Sequence, residues 1–168
     1  MKLKLSELAS IAELISAVAI VISLIFVGFE VNDSTRAVRS ATANETTASI
    51  SAWYSRIGSD AQAASIFRRG TSNPEALSPD EAIQFVFMNH GLMYEYQNAY
   101  YLAKEGTLDK EIQESITNVL SGVREQPGMA WYWNQRRELF LPEFRAYVDS
   151  ILSTGETNTD IEQIYRSE

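Results

Sequence analysis

The chain has 168 residues, a formal net charge of −8 and no cysteine. An acidic chain lacks the clustered Lys and Arg that bind phosphate backbones, so we predict no nucleic-acid partner. The absence of cysteine excludes disulfides, thiolate metal sites and cysteine nucleophiles. The sequence contains no Walker lysine motif, no H-E-x-x-H and no G-x-S-x-G, and we therefore predict no cofactor, no metal and no enzymatic activity.

The segment Leu14–Phe29 is an uncharged apolar run that lies between Glu13 and Glu30. A helix of this length spans about 24 Å, and apolar neighbours on both sides extend it toward the ~30 Å of a bilayer core. A buried core helix and a cleaved signal peptide share this composition, but no small-residue cleavage site follows Phe29. We predict that residues 1–31 form a single-pass anchor, whose partner is the lipid bilayer of the cell inner membrane.

Small residues recur along one face of the predicted anchor at a helical spacing. Small side chains let two helix backbones approach closely, and serine hydroxyls can bond across such a contact. We predict a homo-oligomer interface on this stripe, which an aromatic and an acidic residue continue: Ala12, Ser16, Ala19, Ser23, Phe26 and Glu30. An alternative is an oligomeric ion-conducting pore with Glu30 at its mouth.

Charge does not decide which side of the membrane holds the rest of the chain. Lys2 and Lys4 precede the anchor, whereas Arg36 and Arg39 follow it, which is a tie under the positive-inside rule. Residues 32–57 are rich in Ala, Ser and Thr and contain no Pro or Gly. We predict a helical stalk there, with Val38, Ile50, Trp53 and Ile57 on one face.

Capping residues, prolines and glycines divide residues 58–168 into several helices. Asp60 begins a helix that Gly70 closes, and Ser78 followed by Pro79 is a strong helix start. Further helices are predicted at residues 79–105, at 108–124, from 127 and from 142, before a C-terminal tail. Because no segment alternates polar and apolar residues, the predicted fold class is all-α, with an acidic bundle of about five or six helices.

The helix predicted at residues 79–105 is apolar on two sides. One stripe consists of Phe85, Met88, Leu92, Tyr96 and Ala99, and the other of Ile83, Phe87, Tyr94 and Tyr101. A helix that is apolar nearly all round is typical of a central helix covered by several neighbours. In the next helix we expect the inward residues to be Ile112, Ile116, Val119 and Val123.

A polar sector on the same helix is the candidate ligand site. It contains Glu95 and Asn98, and the single histidine, His90, lies nearby among the aromatic residues Tyr94 and Tyr101. A half-buried carboxylate could act as an acid, a base or a ligand anchor. The alternative for Glu95 is a structural ion pair with Arg68, Arg69 or Arg145, and the alternative for His90 is a packed core residue.

A second candidate is the segment that contains Trp133, Arg136 and Arg137. Trp and Arg are typical hot-spot residues of protein interfaces, so these residues could form a partner-docking patch. The alternative is a helix that uses its tryptophan in the core and its arginines at the rim.

Three segments carry a resemblance to a family of small membrane-anchored helical proteins of bacteria. Residues 34–39 are similar to an N-T-R-A-V-R stretch, residues 95–101 to an E-N-A-Y-Y segment, and residues 133–145 to W-x-x-R-R-x-x-F-x-P-E-F-R. No activity is established for the family, so the resemblance implies architecture alone. It also implies a cytoplasmic domain, because the family carries its basic excess after the helix.

The sequence thus predicts a membrane-anchored, non-enzymatic helical module that acts by self-association or by docking a protein partner. One alternative is a ligand-sensing domain at the membrane, with its site near His90 and Glu95. A pore and an unrecognised hydrolase-like enzyme are the remaining alternatives.

Overall fold

The computed structural model describes the backbone of residues 5–153 and the side chains of residue 9 and residues 11–153. Within this range the chain is helical and contains no strand, which confirms the predicted all-α class. The α-helices are α1 (Leu5–Ser59), α2 (Ala61–Ser72), α3 (Pro79–Lys104), α4 (Lys110–Thr117), α5 (Val119–Val123), α6 (Pro127–Arg136) and α7 (Pro142–Ser153). Short 3-10 helices lie at Pro74–Ala76 and Arg137–Leu139. The predicted C-terminal tail lies outside the described residues.

The chain divides into two compact units, and the boundary falls inside α1 between Ala41 and Thr42. The first unit is the N-terminal part of α1, in which every side chain from residue 11 to residue 41 is exposed. Leu14 and Phe26, for example, are each about two-thirds exposed. The helix is long and apolar enough to cross a membrane, by length and composition.

The second unit has a core arranged around α3. This helix buries Phe85, Leu92 and Tyr96 along one side. Val86 and Met93 of α3 also belong to the core. The rest of the chain contributes its other large core side chains, which are Ile66, Leu120, Met129, Tyr132, Trp133, Phe140, Phe144 and Val148. Several aromatic pairs meet edge to face or tilted, as aromatic packing favours.

The last part of α1 belongs to this core. The indole nitrogen of Trp53 donates a hydrogen bond to the carbonyl oxygen of Met88 at 2.9 Å, and its ring meets the Phe67 ring edge to face at 5.3 Å. Ile50 also packs against the core. Part of the segment predicted as a stalk therefore helps to build the folded unit.

The single helix predicted at residues 108–124 is two helices, which change over at Asn118. Its expected inward face is confirmed in part: Ile116 and Val123 pack against the core, whereas Val119 is exposed. The fully buried residues of this segment are Gln113, Thr117 and Leu120. Tyr147 of α7 accounts for the burial of the polar residues Gln113 and Thr117. Its hydroxyl accepts a hydrogen bond from the Gln113 amide at 2.8 Å and lies 2.7 Å from the Thr117 hydroxyl.

Candidate docking surface

Helix α3 begins at a reciprocal cap that holds it against α2. The Glu81 carboxylate accepts a hydrogen bond from the Ser78 backbone N–H at 2.9 Å, and Ser78 accepts one from the Glu81 N–H at 3.4 Å. Arg69 of α2 donates to the same carboxylate at 2.5 Å. The Arg69 guanidinium, with help from the Ser78 backbone, lowers the pKa of Glu81 to about 2. The orientation of α3 is therefore fixed at its first turn.

Helix α3 packs against α2, α4 and α6, as predicted for a central helix. Its side opposite the core is exposed, so the second apolar stripe is not covered as expected. Its aromatic residues are Phe87, Tyr94 and Tyr101, which are 69%, 49% and 50% exposed. Among residues 11–153, the packed helices reach the side that carries Phe85 and Tyr96 and leave the other side exposed. We define the α3 face as the exposed residues Ile83, Gln84, Phe87, Gly91, Tyr94, Asn98 and Tyr101.

Leu141 extends the α3 face toward α7. It is 53% exposed, and with Tyr94, Gln97, Asn98 and Tyr101 it lines a shallow groove. The Gln97 side-chain oxygen accepts a hydrogen bond from the Leu141 backbone N–H at 2.8 Å, which fixes this leucine beside α3. The groove walls are thus mostly aromatic and aliphatic.

A second groove lies on the other side of Tyr101. Its lining residues are Tyr100, Tyr101, Lys104, Leu141, Pro142, Glu143 and Phe144. An ion pair between Lys104 and Glu143 crosses it, so this end of the surface is charged whereas the α3 face is not.

His90 connects the α3 face to the core. Its Nδ1 atom lies 2.8 Å from the Tyr132 hydroxyl, and its ring meets the Tyr94 ring edge to face at 4.6 Å. Burial, together with the positive charge of Arg136, lowers the pKa of His90. Burial also raises the pKa of Tyr132. His90 is therefore a packed, neutral residue at neutral pH, and it supports the exposed ring of Tyr94.

Glu95 is half-buried on α3, beside the α3 face. The ion pair predicted for it is wrong: Arg69 pairs with Glu81, Arg145 pairs with Glu138, and Glu95 forms no ion pair within residues 11–153. His90, Tyr94, Asn98 and Tyr101 lie with Glu95 along the same helix. The structure therefore places Tyr94, Asn98 and Tyr101 on one exposed surface, whereas His90 and Glu95 are half-buried on the same helix.

The predicted patch around Trp133 is largely internal. Trp133 is 4% exposed, stacks on Phe140 and donates from its indole nitrogen to Asp149 at 2.8 Å. Arg137 donates to the other oxygen of that carboxylate at 2.6 Å, and Arg136 is half-buried. These residues anchor α6 to α7, so they do not form an open surface with the indole at its centre.

The predicted oligomer stripe lies in the first unit. Ala12, Ser16, Ala19, Ser23, Phe26 and Glu30 are all on α1 and all exposed. Their spacing keeps them on one side of the helix.

No metal-binding group of three or more His, Asp or Glu side chains occurs in the part of the chain that the structure describes. No protein-family model matches the chain, and neither a curated protein nor a solved structure is significantly similar to it. The candidate for function is therefore the α3 face. The sequence signal for that surface is the seven-residue spacing of Phe87, Tyr94 and Tyr101, which also fits a covered stripe.

Proposed function

We propose that this protein is a single-pass, membrane-anchored helical module without enzymatic activity, which docks a protein through the α3 face. The observation that carries the proposal is the exposure of three aromatic residues, Phe87, Tyr94 and Tyr101, on a helix whose other side is in the core. Contiguous apolar surface of this kind is typical of interaction sites.

The charge pattern of α3 supports docking. Residues 82–103 contain Glu95 as their single Asp, Glu, Lys or Arg, in a chain whose net charge is −8. The cores of protein interfaces are depleted in charge and enriched in aromatic residues. Phe and Tyr also lose little conformational entropy when they are covered, because each has two rotatable side-chain bonds.

The apolar helix of the first unit supports the anchor. Exposed apolar side chains such as Leu14 and Phe26 are stable in hydrocarbon and costly in water. We place the anchor in the cell inner membrane and the second unit in the cytoplasm. Because the basic residues on the two sides balance, this orientation follows from the resemblance at residues 34–39, whose family carries its basic excess after the helix.

Photo-cross-linking in native membranes tests the docking proposal. The full chain carries p-benzoylphenylalanine in place of Phe87 or, as a control, in place of the exposed Ser115 of α4. We expect a discrete adduct from position 87 and none from position 115. No adduct from position 87, or the same adducts from both positions, would contradict docking through the α3 face.

A ligand-sensing function is the second candidate, and the groove between Tyr94, Tyr101 and Leu141 favours it. A small aromatic ligand would stack on these side chains and bond to Asn98. In a thermal-shift screen of aromatic acids and amides, a stabilising ligand should lose its effect in Asn98→Leu. If the ligand raises the melting temperature of Asn98→Leu as much as that of wild type, it binds elsewhere.

A further inference from the structure

The α3 face alternates large and small residues with a regular period. Phe87, Tyr94 and Tyr101 recur every seven residues, and between them lie the exposed residues Gln84, Gly91 and Asn98. Together, these six residues are spaced alternately by three and four positions, which is the spacing along the seam between two packed helices. Such a seam is expected of a helix that meets another helix along its length.

Gly91 has no packing contact that a side chain would disturb within the part of the chain that the structure describes. A Cβ atom at this position would meet no other atom within 4 Å, and the residue lies in the middle of a helix, where glycine is unfavourable. Its lack of a side chain instead leaves a notch between the exposed rings of Phe87 and Tyr94. A notch of this kind admits an aromatic side chain from outside.

We propose that the α3 face pairs with the α3 face of a second copy of this chain, in antiparallel orientation. This inference rests on the proposed function, because a shared membrane raises the effective concentration of the copies. Antiparallel packing sets Tyr94 of one copy against Gly91 of the other, Phe87 against Asn98, and Tyr101 against Gln84. Each large side chain then meets a small or amide residue, as close packing requires.

A parallel pair fits the same surface less well. It would set Phe87 against Phe87, Tyr94 against Tyr94 and Gly91 against Gly91, so large layers would alternate with voids. The absence of charge between Ile83 and Tyr101, apart from Glu95, also suits a partner with the same surface, because equal charges would repel across a two-fold axis.

The first test is the mass of the full chain in mild detergent. Wild type should be a dimer, and Gly91→Glu should have half that mass, because a carboxylate would occupy the notch. Gly58→Glu is the matched control: Gly58 is also exposed on a helix with open space around its Cβ position, and this variant should stay dimeric.

Two results of this measurement would overturn the inference. One is a wild-type monomer. The other is a Gly91→Glu dimer that is lost in the double variant Ala19→Leu/Ser23→Leu, which would place pairing on the α1 stripe.

Cross-linking tests the orientation, and the cysteine-free chain makes single-cysteine variants specific. With a short bis-maleimide, a mixture of Gln84→Cys and Asn98→Cys chains should give the mixed dimer. Gln84→Cys alone should give none, because its two copies would lie about 25 Å apart along an antiparallel pair. A linked Gln84→Cys dimer would overturn the antiparallel arrangement.

Photo-cross-linking at position 87 separates this inference from the proposed function. An adduct of twice the chain mass supports self-pairing. An adduct with a different protein and no self-adduct overturns self-pairing and leaves docking in place, whereas no adduct contradicts both.

Discussion

Gly128 lets helices α2 and α6 cross with their backbones in contact, and Gly70 makes room for the Phe85 ring of α3. A Cβ atom on Gly128 would overlap the Gly70 carbonyl oxygen and lie 2.7 Å from the Cα atom of Thr71. These are backbone atoms, which cannot move without shifting a helix. The space at Gly128 is therefore required by the fold, unlike the open space at Gly91.

This contrast predicts opposite effects of the same substitution. Gly128→Ala should lower the free energy of unfolding by about 2–3 kcal/mol, because it overpacks a backbone contact. Gly91→Ala should raise it by about 0.5–1 kcal/mol, because alanine favours the helix. Urea unfolding followed by tryptophan fluorescence measures both, since all three tryptophans lie in the second unit. Equal losses in the two variants would contradict the assigned packing.

His90 predicts a pH dependence of stability. Its pKa in the folded chain is below the ordinary value of 6.5, so the unfolded chain binds more protons in that range. The stabilisation is present above pH 6.5 and is lost as the pH falls through 6.5 toward the folded pKa. We therefore expect the free energy of unfolding to decrease between pH 7.5 and pH 5.5 in wild type and to change less in His90→Gln.

Glu81 contributes in a separate and more acidic range. Its pKa is about 2 in the folded chain, so its stabilisation is lost only as the pH falls below its ordinary value of 4.5. Urea unfolding at pH 7.5, 6.5 and 5.5 therefore isolates His90. If the free energy of unfolding falls with pH as steeply in His90→Gln as in wild type, another group titrates in this range.

At the scale of elements, Tyr147 holds α4 and α5 against α7. Its hydroxyl is the partner of the buried Gln113 amide and of the Thr117 hydroxyl. Tyr147→Phe leaves a buried donor unpaired and should lower the free energy of unfolding by about 1–3 kcal/mol. The control Tyr101→Phe changes an exposed ring and should have an effect within about 0.5 kcal/mol. Similar losses in both variants would show that the network does not stabilise the bundle.

Local chemistry explains which elements could be predicted from sequence. Ser78, Pro79, Pro127 and Pro142 begin helices through caps and a fixed φ angle, so these starts agree with the structure. The break at Asn118 was missed, because the buried face there is set by Tyr147. That residue lies 30 positions beyond Thr117, so no local pattern reveals the contact.

The candidate surface was predicted only in part for the same reason. Tyr94, Asn98 and Tyr101 share one helix face, which the spacing of the residues gives directly. Whether neighbouring helices cover that face depends on how α2, α6 and α7 pack, and the sequence contains two apolar stripes of similar strength. For Trp133 the sequence left open a surface patch or a core position, and the structure shows the core position, with a hydrogen-bond partner in α7.

The whole molecule has two separate features, which are an apolar N-terminal helix and a bundle with one exposed aromatic face. The apolar helix predicts that the full chain stays with the membrane fraction after alkaline carbonate washing. Release of the full chain into the supernatant would contradict the anchor. The docking proposal would then apply to a chain in solution.

If a protein docks on the α3 face, this face is covered when the chain is in its membrane. The most direct measurement is the maleimide labelling rate of single-cysteine variants of the full chain in permeabilised native membranes. We predict that Gln84→Cys and Asn98→Cys, both on the α3 face, label at least tenfold more slowly than Ser115→Cys on the exposed side of α4. Equal labelling rates at the three positions would contradict docking through the α3 face.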